Sequence, residues 1–225
     1  MATAMSTPSS GGPAFAPQAE TRVIPRPAPV VATTGWRAGL PLLGGAQVTL
    51  RELCLSDAAS LCAMLTTAEV TRFISPPPTS VEGFERFIAW TIYEREAGKA
   101  MCFGIVPHGH TDAVGIIQVR YLDAGETAEW GFAIGSPFWG TGMFAEGARE
   151  VLGFLFEHTG LMRLEARAAV VNGRGNGALR KLGSVAEGIL RHGLRRGEEV
   201  LDQVMWSMLR EDWEGRAQPV PTVVH

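Results

Sequence analysis

The stretch from Glu129 to Glu146, EWGFAIGSPFWGTGMFAE, decides the fold. Trp130, Phe132 and Ile134 alternate with Glu129, Gly131 and Ala133, a period of two that predicts a strand with one set of side chains turned inward. Gly135, Ser136 and Pro137 end it. Gly140, Thr141 and Gly142 follow, and then Phe144, Ala148, Val151, Leu152 and Leu155 recur at helical spacing until Thr159 and Gly160 stop the run. Glycines at alternate positions leave backbone N–H groups bare, and a helix starting directly after them adds its own unpaired donors and its positive dipole end. Such a turn suits a pyrophosphate. The alternative is a tight connection and nothing more.

Two nucleotide chemistries compete for this loop. Gly140, Gly142 and Ala145 fit the dinucleotide pattern G-x-G-x-x-A, and Glu165 lies about 20 residues beyond, where a ribose-binding acid belongs. That pattern should follow a fully buried parallel strand, whereas this strand carries Glu129 and is parted from the turn by Pro137. Glu165 sits inside a strand expected to run to Val171, and too little chain follows for a second mononucleotide half.

The second candidate accounts for more of the chain. Pro137, Phe138, Trp139, Gly140, Thr141, Gly142, Met143 and Phe144 resemble the coenzyme A loop of the GCN5-related N-acetyltransferases, R/Q-x-x-G-x-G/A, and within it the P-x-W-G-x-G of the ribosomal-protein N-terminal acetyltransferase branch. LMRLEARAAVVN is similar to that family's fifth strand with its closing asparagine, Asn172. RGNGALRKLGSVAEGILR resembles its N-x-x-S-x-x-x-x-x-K-L-G-F-x-x-E-G-x-x-R segment. The resemblance covers roughly residues 46 to 210. It implies an α/β fold with a mixed, mostly antiparallel sheet of about seven strands flanked by helices, and acetyl-CoA as co-substrate. Two positions depart from the pattern: Phe144 fills a place usually small, where its bulk would lower coenzyme affinity, and Gly175 stands where the family often has serine.

Composition sets the remaining bounds. With 225 residues, 46% hydrophobic and 19% charged, the chain can build one domain with a substantial core. A net charge of -3 gives no broad field for drawing in nucleic acid or anionic membrane. Three scattered cysteines, Cys54, Cys62 and Cys102, argue for free thiols in a reducing compartment, and no apolar run is long enough to span a bilayer. Residues 1–38, rich in Ala, Pro, Ser and Thr, are expected to be a disordered tail without signal-peptide features, so the default location is cytoplasmic; an organellar transit peptide is the weaker option. Residues 39–211 are expected to hold the acetyltransferase domain, as monomer or homodimer, and 212–225 to fray.

Along that domain, Val48, Leu50 and Leu53 predict a first strand, and Ser56 and Asp57 a cap for a short helix through Leu65. Thr79 with Glu82 forms a capping-box pattern ahead of the stripe Val81, Phe84, Phe87, Ile88 and Ile92. Paired strands are expected over 101–106 and 113–122. The polar turn between them explains His108, His110 and Asp112 better than a metal site does, since no second cluster offers further ligands. A strand over 163–171, a short basic helix over 173–182 and a hairpin of 189–195 with 200–209 complete the prediction.

Acetyl transfer from a thioester to an amine needs a neutral amine, a cradle for the carbonyl oxygen as it becomes negative, and a fate for the thiolate. An α-amino group, with a reference pKa of about 8, is an easier acceptor than lysine at about 10.4. Glu129 is the candidate base, the alternative being a solvated strand carboxylate. The resemblance implies that backbone N–H groups near Ala133 and Ile134 polarise the thioester, and that Asn172 holds the pantetheine arm or acceptor unless it simply caps the next helix. His192 is the candidate for assisting the leaving thiolate in place of the missing serine. Arg180 and Lys181 are either phosphate ligands or solvated helix charges. No cysteine has a nucleophile's setting and no G-x-S-x-G occurs, which favours direct transfer. The competing function is a non-catalytic acyl-CoA-binding or regulatory domain.

Overall fold

Branched and aromatic residues at every second position build a sheet through most of the chain, and helical spacing supplies its cover. The computed structural model describes residues 34–123 and 125–217. The strands β1 (Leu43–Gly44) and β2 (Val48–Glu52) lead into the helices α1 (Asp57–Leu65), α2 (Ala68–Thr71) and α3 (Val81–Glu96). Next come β3 (Ala100–Pro107), β4 (Gly115–Tyr121), β5 (Thr127–Ile134) and α4 (Met143–His158). After β6 (Arg163–Ala169) and α5 (Gly173–Leu182), the hairpin β7 (Val185–Arg196) and β8 (Glu199–Leu209) runs into α6 (Arg210–Ala217). The eight strands form one sheet in the order β1-β2-β3-β4-β5-β6-β8-β7. All neighbours are antiparallel except β5 and β6, which run parallel.

Both faces of the sheet are covered. On one, α4 lays Val151, Leu152 and Leu155 against Leu50, Phe103, Ile117 and Leu164. On the other, α1 and α3 bring Leu61, Leu65, Phe84 and Ile88 against Cys102 and Ala113. Because β3 lies between these layers, all eight of its residues are buried. Each fully buried Leu, Ile or Phe adds about 1.5–3 kcal/mol of hydrophobic stabilisation, so this stack is the main source of stability.

The sheet has eight strands rather than about seven because the two-residue β1 pairs with β2. The last hairpin starts at Val185, earlier than the alternation predicts, and β6 stops at Ala169, where Asn172 and Asn176 take up its final carbonyl. Two caps also differ. Ser80, one residue after Thr79, caps α3 by accepting the Gly83 N–H at 3.1 Å, because the extended backbone runs one residue further. Ser56 makes no side-chain cap on α1, and Asp57 is instead fully buried against Arg51.

At the chain ends, Trp36 is buried and stacks on Tyr121, and Arg95 of α3 donates to the Arg37 carbonyl and to Glu52. These contacts bring in residues expected to be tail; residues 1–33 lie outside the described part. Beyond Asp212, expected to fray, Trp213 packs on Phe156 as part of α6. Among the described residues no helix is long and apolar enough to cross a membrane. Of the polar turn between β3 and β4, His110 meets the Phe138 ring edge-on at 6.1 Å and Asp112 accepts the Thr111 hydroxyl.

Candidate active site

The cleft begins where two parallel strands part. Leu122 donates its N–H to the Thr127 carbonyl and Gly135 donates to Val114, both at 2.9 Å, at opposite ends of the β4–β5 ladder. An antiparallel ladder alternates, so the odd-numbered residues of β5 turn their backbone groups toward β4 and the even-numbered ones toward β6. Yet β6 pairs with β5 only over Thr127–Glu129 and Arg163–Glu165. Past that point the N–H groups of Phe132 and Ile134 face a gap with no strand to receive them. Of the amides near Ala133 and Ile134 named from the sequence, that of Ile134 faces the gap, as does that of Phe132, and that of Ala133 faces β4.

The gap opens into a cleft of about 700 Å³. One wall is the turn after β5, where a 3-10 helix at Ser136–Phe138 folds the chain back. Trp139 then donates its indole N–H to the Ile134 carbonyl at 2.9 Å, which closes that end of the strand. Gly140 and Gly142 have φ of 77° and 90°, values that side chains other than glycine's rarely allow. Gly142 is also the N-cap of the 16-residue α4 and offers no capping side chain. The Met143 N–H donates to the Thr141 hydroxyl oxygen at 3.4 Å, so the N–H groups of Phe144 and Ala145, both residues of the lining, are the ones the helix start offers to the cleft, with the helix dipole behind them.

The loop's only carboxylate is turned aside. Glu146 accepts the Gln47 N–H at 2.7 Å and its side-chain amide at 3.1 Å, and the backbone bond foremost holds its pKa below the usual value. Phe144 lies against Phe132 with ring centroids 4.3 Å apart, so its bulk forms wall and both rings line the cleft. Thr141 and Met143 are not part of the lining; the Thr141 hydroxyl donates to the Phe138 carbonyl, and Met143 packs against the core.

The opposite wall is the start of α5. Asn172 lines the cleft and caps this helix, its side-chain oxygen accepting the Gly175 N–H at 2.9 Å. A Cβ on Gly175 would come within 2.6 Å of the Asn172 amide nitrogen, so glycine there and the asparagine's capping pose go together. Asn176 was missed by sequence reasoning. It is buried, donates to the Ala169 and Asn172 carbonyls at 2.9 Å and accepts the Trp206 indole N–H at 2.9 Å, tying α5, β6 and β8 together. Asn176→Ala should lower stability by about 2–3 kcal/mol by leaving those groups buried and unpaired, seen as a lower urea midpoint at constant slope.

The two catalytic candidates also stand apart from the lining. Glu129 sits where β5 and β6 are still paired, its side chain 22% exposed, with Arg120 at 2.8 Å and Arg167 at 3.5 Å. His192 lies on the outermost strand, exposed, at a break in register between Leu190 and Leu194, with φ of 56° and its N–H bound to Asp202. His192 is not among the residues that line the cleft, although Arg196 of the same strand donates to the carbonyl of Arg72 in its wall at 2.8 Å. Sequence reasoning also missed Arg174, whose guanidinium stacks 3.9 Å above the Trp139 ring. Lys181 lines the cleft, while Arg180 turns toward Trp206. From α2 and its end, Glu69, Arg72, Phe73 and Ile74 close the far side.

Strand gap, glycine turn and helix start thus border one cleft. Residues 47–185 match the acetyltransferase (GNAT) domain. The chain belongs to this family. It is 26% identical over 171 residues to p20 of Bacillus licheniformis, an uncharacterized N-acetyltransferase, covering 75% of this chain and 96% of that protein. Among solved structures, the ribosomal-protein-S5-alanine acetyltransferase of Vibrio fischeri matches with a TM-score of 0.69 at 17% identity, over 80% of this chain and 100% of that one. RimL, a ribosomal L7/L12 α-N-protein acetyltransferase solved with coenzyme A, matches with a TM-score of 0.69 at 15% identity, over 76% and 99%. At such identities these two likenesses establish the fold. The family match makes this GNAT chain an acetyltransferase.

Proposed function

We propose that the protein transfers the acetyl group of acetyl-CoA to a primary amine, a protein N-terminal α-amine or a small-molecule amine, by direct attack. The carrying observation is that unpaired N–H groups of β5 and the open start of α4 border one cleft. The first pair suits a carbonyl oxygen gaining charge, and the second suits a pyrophosphate. None of the three cysteines lines the cleft, and burial pushes the Cys102 thiol well above its usual range, which supports transfer without an acyl-enzyme. With Gly175 in place of a serine, the thiolate leaves unassisted, as a group with a pKa of about 8.5 is able to do.

Glu129 is the proposed base, acting through water because its carboxylate is held between two arginines. Its role is limited to the amine's proton. At pH 7 about a tenth of an α-amine is already neutral, so Glu129→Gln should lower kcat about tenfold there and progressively less above pH 8. Acetyl-CoA affinity should be unchanged. Thiol release from acetyl-CoA against a panel of peptides and small amines measures both, and no turnover by the unaltered protein with any of them would leave only a coenzyme-binding domain.

A further inference from the structure

The loop that faces the cleft contains no cation: from Gly135 to Ala145 every side chain is neutral, and Glu146 beyond it is anionic. Backbone amides alone would have to meet the charge of a bound pyrophosphate. The cations come from across the cleft. Arg174, Gly177, Ala178 and Lys181 all line it from α5, at the i, i+3, i+4, i+7 spacing of a single helix face. Between the two charged residues the small Gly177 and Ala178 leave a shallow floor. Seven residues of helix set Arg174 and Lys181 about 10 Å apart along the axis.

Arg174 is held ready. Its guanidinium lies 3.9 Å over the ring of Trp139, whose indole N–H is fixed to the Ile134 carbonyl, so the residue directly before Gly140 orients the cation. A planar guanidinium on an aromatic platform loses little freedom when a phosphate arrives. Arg72, the third cation of the lining, is directed over Phe73 on the α2 side instead.

We propose that Arg174 and Lys181 form a two-cation rail that reads the nucleotide end of the coenzyme, Arg174 binding the pyrophosphate and Lys181 the ribose 3′-phosphate. This rests on the acetyl-CoA reading above and adds a selectivity to it: the protein prefers acyl-CoA to acyl groups carried on pantetheine alone.

Dissociation constants for coenzyme A, 3′-dephospho-coenzyme A and pantetheine, measured by calorimetry on the unaltered protein, Arg174→Ala and Lys181→Ala, separate the possibilities. Arg174→Ala should weaken coenzyme A and its dephospho form about tenfold and leave pantetheine unchanged. Lys181→Ala should weaken coenzyme A alone, by about threefold at this exposed site. An Arg174→Ala loss that persists with pantetheine would mean that the residue only shapes the cleft through Trp139, and the rail is wrong. Equal affinities across all three proteins would overturn it as well. Failure of the unaltered protein to bind coenzyme A would refute the acetyl-CoA reading itself.

Discussion

Gly142→Asp should abolish coenzyme binding while leaving a folded protein. The position combines a φ of 90° with the first capping place of a long helix that no side chain caps. An aspartate there brings a carboxylate to the amides proposed to grip the pyrophosphate, where it both occupies donors and repels the ligand. Losing charge-assisted bonds and gaining repulsion should weaken coenzyme A at least about hundredfold. The left-handed backbone costs an aspartate about 1–2 kcal/mol, well short of a domain's stability. Calorimetry with coenzyme A and a thermal melt of the same variant check both halves; retained affinity would remove the loop from the site.

Asp57→Ala should be the most destabilising single change discussed, lowering stability by about 3–5 kcal/mol, because it leaves the Arg51 guanidinium without its partner. Both Asp57 carboxylate oxygens accept from Arg51 at 2.8 Å, and they also accept the N–H groups of Cys54 and Ala113 at 2.8 Å. One side chain thereby joins β2, the start of α1 and the approach to β4. In a chain of this size such a loss lowers Tm by about 10 °C.

The same carboxylate sets an acid limit. Burial alone would raise its pKa, but Arg51 and the two backbone donors outweigh burial and hold it at about 2, against 3.8 when exposed. A depressed folded pKa means that the unfolded chain takes up the proton first. Asp57 therefore contributes its stability in full above pH 3.8 and loses it as pH falls toward 2, about 2 kcal/mol in all. Glu187, held near 2 by Arg163 and Ser207, acts in the same direction but is 40% exposed and screened, so its share is smaller. In Asp57→Asn the acid limb of a stability-against-pH curve should flatten; an unchanged limb would assign acid sensitivity elsewhere.

How far the chain could be read differs by position. The strand, turn and helix of Glu129 to Glu146 were legible because each follows from local rules: alternation, left-handed glycines and a spacing of about 3.6. The α5 helix, Gly173–Leu182, was equally plain, ended by Gly183 in a left-handed conformation. Harder were the sites whose meaning depends on a distant neighbour. Asp57 reads as a helix cap until Arg51 is folded over it, and Asn176 reads as a polar helix residue until Trp206 arrives. Arg174 sits in a basic stretch like any solvated charge, with nothing nearby in sequence to announce Trp139.

The order of residues by itself determined the periodicities, the glycine turn and the family, since those are properties of short segments and of their succession. Tertiary structure alone decided which amides of β5 face the gap, that Glu129 is shared between Arg120 and Arg167, and that His192 is outside the lining of the cleft. The physical reason is that hydrogen-bond satisfaction and charge pairing belong to neighbours in space. A strand's period says which way its side chains point, and only the strand beside it says which of its backbone groups go unpaired.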